Sequence, residues 1–157
     1  MNSLNSDYKL YLKILRPWQW AKNTLIIIPI ALSNSFDLDK FLDSIGLFFL
    51  FSFYVSGNYI LNDLNDIDLD RNHPEKKYRP IASGEVSEKI AKRIAYFLFA
   101  SSLLITYINY EIEIVYLYLI YLLIAVVYTK NLKFINFIDS IAISTLFLIR
   151  LTIGGIV

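Results

Sequence analysis

Five apolar blocks, at residues 21–33, 41–61, 90–109, 112–129 and 137–157, constrain this chain more than any other feature. Four of them have about the 18–23 residues that a helix needs to cross the hydrocarbon core of a bilayer. In lipid every backbone N–H and C=O must be satisfied internally, which a helix does within one segment. The expected fold is therefore all-α, a multi-pass transmembrane bundle of about five spans, with residues 1–157 forming a single membrane domain. The first block is short unless Trp18 and Trp20 count as its interfacial start. Pro29 would kink it, which membrane helices tolerate. The third and fourth blocks are separated only by Tyr110 and Glu111, so they are expected to form a tight helical hairpin. Ser87 and Glu88 supply an N-cap and an acidic first turn for the third. Residues 1–16 are polar and mixed and do not read as a cleavable signal peptide.

Composition narrows the chemistry. The chain is 56% hydrophobic and 16% aromatic, with 12 Tyr and 11 Phe, and these aromatic residues suit membrane interfaces and bundle interiors. It has no Cys and one His, which excludes disulfides, thiolate catalysis and Cys-ligated zinc and disfavours a His-metal site. No nucleic-acid partner is expected.

Charge sets the orientation. Lys9, Lys13, Arg16 and Lys22 precede or open the first block. Arg71, Lys76, Lys77, Arg79, Lys89, Lys92 and Arg93 lie between the second and third, and Lys130 and Lys133 between the fourth and fifth. The opposite side has Lys40 among the acids Asp37, Asp39, Asp43, Glu111 and Glu113. The positive-inside rule then places the N-terminus and the loop after the second block on the cytoplasmic face of the cell membrane.

That loop, residues 62–84, carries the functional signal. Asn62, Asp63, Asp66, Asp68 and Asp70 stand at the mouth of an apolar segment, followed at once by Lys76, Lys77 and Arg79. If the second helix continues, Asn62, Asp66 and Asp70 follow at i, i+4 and i+8 and point into one sector, with Asp63 beside it. Stacked acids repel, so the face calls for a cation. Oxygen ligands without Cys suit Mg²⁺, which bridges to substrate phosphates. Lys76, Lys77 and Arg79 could neutralise the remaining phosphate oxygens. The plainer reading is a solvated acidic loop; the i+4 spacing, the neighbouring cations and the tight turn set by Pro80 and Gly84 weigh against it.

The stretch Asn62-Asp63-x-x-Asp66-x-x-x-Asp70-Arg71 resembles the first aspartate-rich motif of the UbiA superfamily of membrane prenyltransferases. His73-Pro74-Glu75-Lys76-Lys77-Tyr78-Arg79-Pro80-Ile81-Ala82-Ser83-Gly84 is similar to the branch that transfers phosphoribosyl to a polyprenyl phosphate, with Lys77 where Arg is frequent. Arg16-Pro17-Trp18-Gln19-Trp20-Ala21-Lys22-Asn23 resembles that branch's start. More loosely, Tyr128-Thr129-Lys130-Asn131-Leu132-Lys133, Asp139 and Arg150 resemble its stretch after the fourth helix. The resemblance runs from about Arg16 to Gly155.

What it implies is a transferase. Mg²⁺ on Asn62, Asp66 and Asp70 would hold the pyrophosphate of phosphoribosyl pyrophosphate, which leaves as an oxocarbenium develops at ribose C1. A polyprenyl phosphate oxygen attacks. Asp63 is read as a metal ligand or its support, and Lys76, Lys77 and Arg79 as donor-phosphate ligands. Lys22 is either a lipid-phosphate ligand or a positive-inside anchor, and Lys130 and Lys133 carry the same alternatives. Arg150, the one deeply placed charge, is expected to face the bundle interior and bind substrate. Asp139 should share its face at roughly 16 Å. His73 reads as a turn residue, and Trp18 and Trp20 as interface aromatics.

Family members have about nine helices and a second aspartate motif facing the first. The chain is thus expected to be an N-terminal half that binds metal weakly alone, with a second chain as one source of the remainder. Two rival readings are a prenyltransferase using a prenyl diphosphate with an aromatic or lipid acceptor, and a non-catalytic membrane subunit.

Overall fold

The computed structural model describes the backbone of residues 3–130 and 136–157 and the side chains of residues 9–129 and 137–157. Helix α1 (Ser3–Leu15) leads into a 3-10 helix (Pro17–Ile26) and the short α2 (Ile28–Ala31). Then come α3 (Leu38–Asn65), α4 (Ile67–Arg71), a 3-10 turn (Lys76–Tyr78), α5 (Glu88–Asn109), α6 (Ile112–Lys130) and α7 (Asn136–Ile156).

Four helices are long and apolar enough to cross a membrane: α3, α5, and most of α6 and α7. They coincide with the second to fifth apolar blocks. The first block departs from expectation, because residues 17–31 form a 3-10 run and one turn of α-helix in place of a spanning α-helix. The reason is local. Pro17 and Pro29 each remove an N–H donor, and Asn23 is taken by side-chain bonds to the helices around it.

The Ser87 cap falls where the sequence puts it, and Asp37 supplies a second one. Asp37 accepts from the Asp39 and Lys40 amides to open α3. Ser87 accepts from the Ile90 amide at 3.4 Å to open α5. Only Tyr110 and Glu111 separate α5 from α6. Burial and the Asp43 charge push the Tyr110 phenol above its ordinary pKa, so it stays a neutral donor to the Asp43 carbonyl.

Two buried clusters hold the helices together. One joins α3, α6 and α7 around Leu47, Phe51, Tyr54, Tyr118, Tyr121 and Ile153. Phe51 meets two of its rings edge to face, lying 5.0 Å from Tyr118 and 4.9 Å from Tyr121, a geometry that ring quadrupoles favour. The other packs α1, the end of α3 and α5 around Ile14, Ile60, Ile81, Ala91 and Ala95.

Small residues permit the close approaches. A Cβ on Gly57 would lie 3.1 Å from the Ala95 carbonyl oxygen, so α3 and α5 pack nearly backbone to backbone. A Cβ on Gly154 would overlap the Ile26 carbonyl, so α7 sits directly against the 3-10 helix. Gly154→Ala is accordingly expected to cost about 1–3 kcal/mol by overpacking and to lower the melting temperature in detergent. Gly155→Ala meets nothing within 4 Å and serves as control, stabilising by up to about 1 kcal/mol through helix propensity. Equal melting temperatures would show that the helix contact is not tight.

Candidate functional site

The segment from Arg16 to Ile26 is zipped along α3. A 3-10 helix has about three residues per turn, so side chains three apart share a face. Trp20, Asn23 and Ile26 have that spacing and turn inward, Asn23 and Ile26 being fully buried. Trp20 Nε1 donates to Ser56 Oγ at 3.0 Å, and Asn23 Nδ2 donates to Ser52 Oγ at 2.9 Å. Arg16 Nη2 donates to both oxygens of Asp63 at 2.5 and 2.7 Å. The rises match: seven residues at about 2.0 Å in the 3-10 segment cover about the same distance as the eleven at about 1.5 Å from Ser52 to Asp63. Trp20 is therefore a packing and hydrogen-bonding residue, with its ring edge-on to Phe53 at 5.5 Å. Trp18 is 62% exposed.

Arg16 adopts φ 53°, ψ 57°, a left-handed conformation rare for a residue with a Cβ. The following Pro17 already disfavours the right-handed region there. This turn reverses the chain between α1 and the 3-10 helix, and the Asp63 pair fastens it.

The aspartate motif divides into two faces. Helix α3 ends at Asn65, and Asp66 (φ −101°, ψ 10°) joins it to α4. The turn spacing survives: the Asp66 amide donates to the Asn62 carbonyl at 3.0 Å and the Asp70 amide to the Asp66 carbonyl at 2.8 Å. Side chains do not stay in one sector, however. On an ideal helix four residues overshoot a full turn by about 40°, so two such steps would take Asp70 about 80° from Asn62 and to within about 20° of Asp63. Asp63 and Asp70 are accordingly buried together, 6% and 2% exposed. Arg79 Nη1 joins them, donating to Asp70 Oδ2 at 2.6 Å and Asp63 Oδ1 at 3.0 Å. Asn62 and Asp66 are half-buried on the neighbouring face, and among the described residues neither has an ion pair.

This arrangement bears on Mg²⁺. Among the described residues no three acidic or imidazole side chains converge on a common point. Asn62 and Asp66 nevertheless offer two hard oxygen ligands on consecutive turns. That set fits an ion that keeps several waters and takes further ligands from phosphates. Asp63 and Asp70 are committed to Arg16 and Arg79.

A cleft of about 280 Å³ opens between α3, α6, α7 and the 3-10 helix, with Lys22, Asn58, Asn62, Tyr128 and Arg150 on its walls. Arg150 is 4% exposed and faces the bundle interior, as expected. Its Nε donates to Asn23 Oδ1 at 2.8 Å, Nη2 to Tyr121 Oη at 2.9 Å and Nη1 to the Leu146 carbonyl at 2.5 Å. The guanidinium also lies over the Tyr121 ring at 5.0 Å. Asp139, half-buried, stands beside Tyr128.

The basic run is less united. Lys76 and Lys77 are exposed, Lys77 over the Tyr78 ring at 5.1 Å. Only Arg79 turns back onto the aspartates. His73 Nδ1 accepts from the Glu75 and Lys76 amides, the part of a turn residue. Gly84 takes φ 82°, a left-handed turn that suits glycine, and the Val86 amide closes on the Pro80 carbonyl at 2.8 Å. The side chain of Lys130, and Lys133 altogether, lie outside the described residues.

Sequence reasoning missed Arg16, Asn23 and Tyr121. The 3-10 spacing of Trp20, Asn23 and Ile26 was a usable signal for Asn23. Arg16 was visible as one cation of an anchor and as the first residue of the motif that ends at Asn23, without a role for either, and nothing local marked Tyr121.

A membrane helix bundle with an aspartate motif beside a cationic cleft matches a known class. The UbiA prenyltransferase family pattern covers residues 24–157, and the chain belongs to that family. It is 32% identical over 149 residues to the decaprenyl-phosphate phosphoribosyltransferase of Mycobacterium tuberculosis, covering 92% of this chain and 49% of that protein. It is 34% identical over 151 residues to the Mycolicibacterium smegmatis enzyme of the same name, covering 92% and 47%. Similarity extends, at 28% over 102 residues, to a digeranylgeranylglyceryl phosphate synthase of Saccharolobus solfataricus, with 65% of this chain and 35% of that one covered. The chain spans about half the length of the phosphoribosyltransferases it matches.

Proposed function

We propose that the protein of which this chain forms a part transfers 5-phosphoribosyl from phosphoribosyl pyrophosphate to a polyprenyl phosphate. The observation that carries this reading is the pair Asn62 and Asp66. Neither has an ion pair among the described residues, Asn62 lines the cleft together with Lys22 and Arg150, and Asp66 follows it one turn on, its amide bonded to the Asn62 carbonyl. Asn62 and Asp66 would hold Mg²⁺, which when bound supplies positive charge to the departing pyrophosphate. Asp70 and Asp63 keep Arg79 directed at the motif, where a guanidinium can take pyrophosphate oxygens bidentately. Lys76 and Lys77, exposed and unpaired with any described acid, can close over the donor. Lys22 would meet the lipid phosphate at the cleft mouth. The work is electrostatic. The motif and N-terminus would face the cytoplasm by the positive-inside rule. A second chain is not among the partners proposed.

One observation favours a second reading. The similarity to digeranylgeranylglyceryl phosphate synthase suits a prenyl diphosphate donor acting through the same aspartates. Donor competition separates the two. With polyprenyl phosphate in the membrane, the full-length protein is expected to release pyrophosphate from phosphoribosyl pyrophosphate in a Mg²⁺-dependent manner, with no turnover of geranylgeranyl diphosphate. The reverse preference would establish the second reading.

A further inference from the structure

We propose that Arg150, pre-set by Asn23 and Tyr121, is a receptor for a phosphomonoester dianion, and that Asn23 keeps it receptive by being an amide. The proposal deepens the transferase reading and rests on it for the kind of ligand.

Arg150 is a buried cation whose bonding partners are all neutral: an amide oxygen, a phenol and a backbone carbonyl. Among the described residues it has no ion pair. Burying a charge without a counter-charge is costly even after relaxation. Hydrogen bonds and the surrounding ring faces offset part of this. The contrast with the nearby arginines is sharp, since Arg16 and Arg79 are both paired with carboxylates.

A guanidinium carries five N–H groups in a planar fork. Three are taken, which leaves one on each terminal nitrogen. The cleft wall beside them holds Lys22 and Arg150, while none of its lining residues is Asp or Glu. Asp139 stands beside Tyr128 and does not itself line the cleft. Two cations and no acid in a confined space select an anion, and a fork with paired N–H groups suits phosphate oxygens.

Asn23 decides the sign of the site. Its Nδ2 is occupied by Ser52, which fixes Oδ1 toward Arg150 Nε. Asp at this position has the same shape and would also accept from Arg150, but it would bring its own negative charge. The arginine would then be neutralised internally and lose its affinity for an incoming anion. Asn23 is in this sense a positioning residue.

Two ligands share the chemistry, the phosphate of the lipid acceptor and the 5-phosphate of the donor. The test measures binding to purified protein in nanodiscs with EDTA present, so that the aspartate site contributes nothing. The probes are farnesyl phosphate against farnesol, and ribose 5-phosphate against ribose. At least one phosphorylated probe is expected to bind 10-fold or more tighter than its alcohol. That advantage should fall at least 10-fold in both Arg150→Gln and Asn23→Asp. Loss confined to farnesyl phosphate assigns the receptor to the lipid headgroup; loss confined to ribose 5-phosphate assigns it to the donor. Should Arg150→Gln fail to fold, Asn23→Asp decides, because a purely structural arginine would be satisfied by the new carboxylate. The receptor is overturned if neither phosphate confers an advantage, or if Asn23→Asp leaves the advantage intact. A protein that binds the phosphate normally but releases no pyrophosphate with Mg²⁺ contradicts the transferase reading and leaves the receptor standing.

Discussion

Asp66→Asn is expected to lower Mg²⁺-dependent pyrophosphate release by about 10²–10³-fold, the effect of removing one element of a charge-stabilising site. The same substitution should leave the melting temperature nearly unchanged. Asp66 is half-buried, makes no ion pair with a described residue, and does not cap α4 through its side chain. Substitutions away from buried networks usually stay within about 0.5 kcal/mol. Activity and stability are thereby separated at one position. Retained turnover in a folded Asp66→Asn protein sinks the assignment of Asn62 and Asp66 to the metal.

Arg79→Met should show the opposite pattern, with stability lost first. Arg79 Nη1 is the described partner of Asp70 and shares Asp63 with Arg16. Removing it strands a carboxylate that is 2% exposed. Breaking a buried pair from one side costs about 3–5 kcal/mol, because the other charge stays behind. Asp70→Asn in the same background should recover much of that loss. A double-mutant cycle on Arg79 and Asp70 measures the coupling directly. Additive effects would mean that the pair does not hold the loop to the end of α3.

The contrast between these variants follows from the division of one acidic stretch into two faces. The sequence made the stretch visible and suggested one metal-binding sector. On an ideal helix the drift that brings Asp66 beside Asn62 carries Asp70 round toward Asp63. A carboxylate pair buried at that point requires cations, and Arg16 and Arg79 supply them from 47 and 16 residues away along the chain. Spacing alone could not choose Arg79 over Lys76 or Lys77. The Pro80 turn and the buried Ile81 and Ala82 do so, by fixing the backbone beside Asp70.

Helices α3, α5, α6 and α7 were legible because long apolar runs in lipid leave the backbone few alternatives. The hairpin at Tyr110 and the cap at Ser87 depend on neighbouring residues and were readable because the signal is local. Residues 17–31 were not, since a 3-10 segment has no strong composition of its own. It forms here because Ser52, Ser56 and Asp63 of α3 meet side chains spaced for it. Arg150 was legible as a buried charge. Its neutral partners, 127 and 29 residues distant, were not.

The most direct measurement of the central claim follows the ribose itself. Full-length protein in membranes containing polyprenyl phosphate is given phosphoribosyl pyrophosphate labelled in the ribose, with Mg²⁺ or with EDTA. The predicted result is label in the organic phase with Mg²⁺ and none with EDTA. Label that stays in water, while label from a prenyl diphosphate passes to an acceptor under the same conditions, would contradict phosphoribosyl transfer.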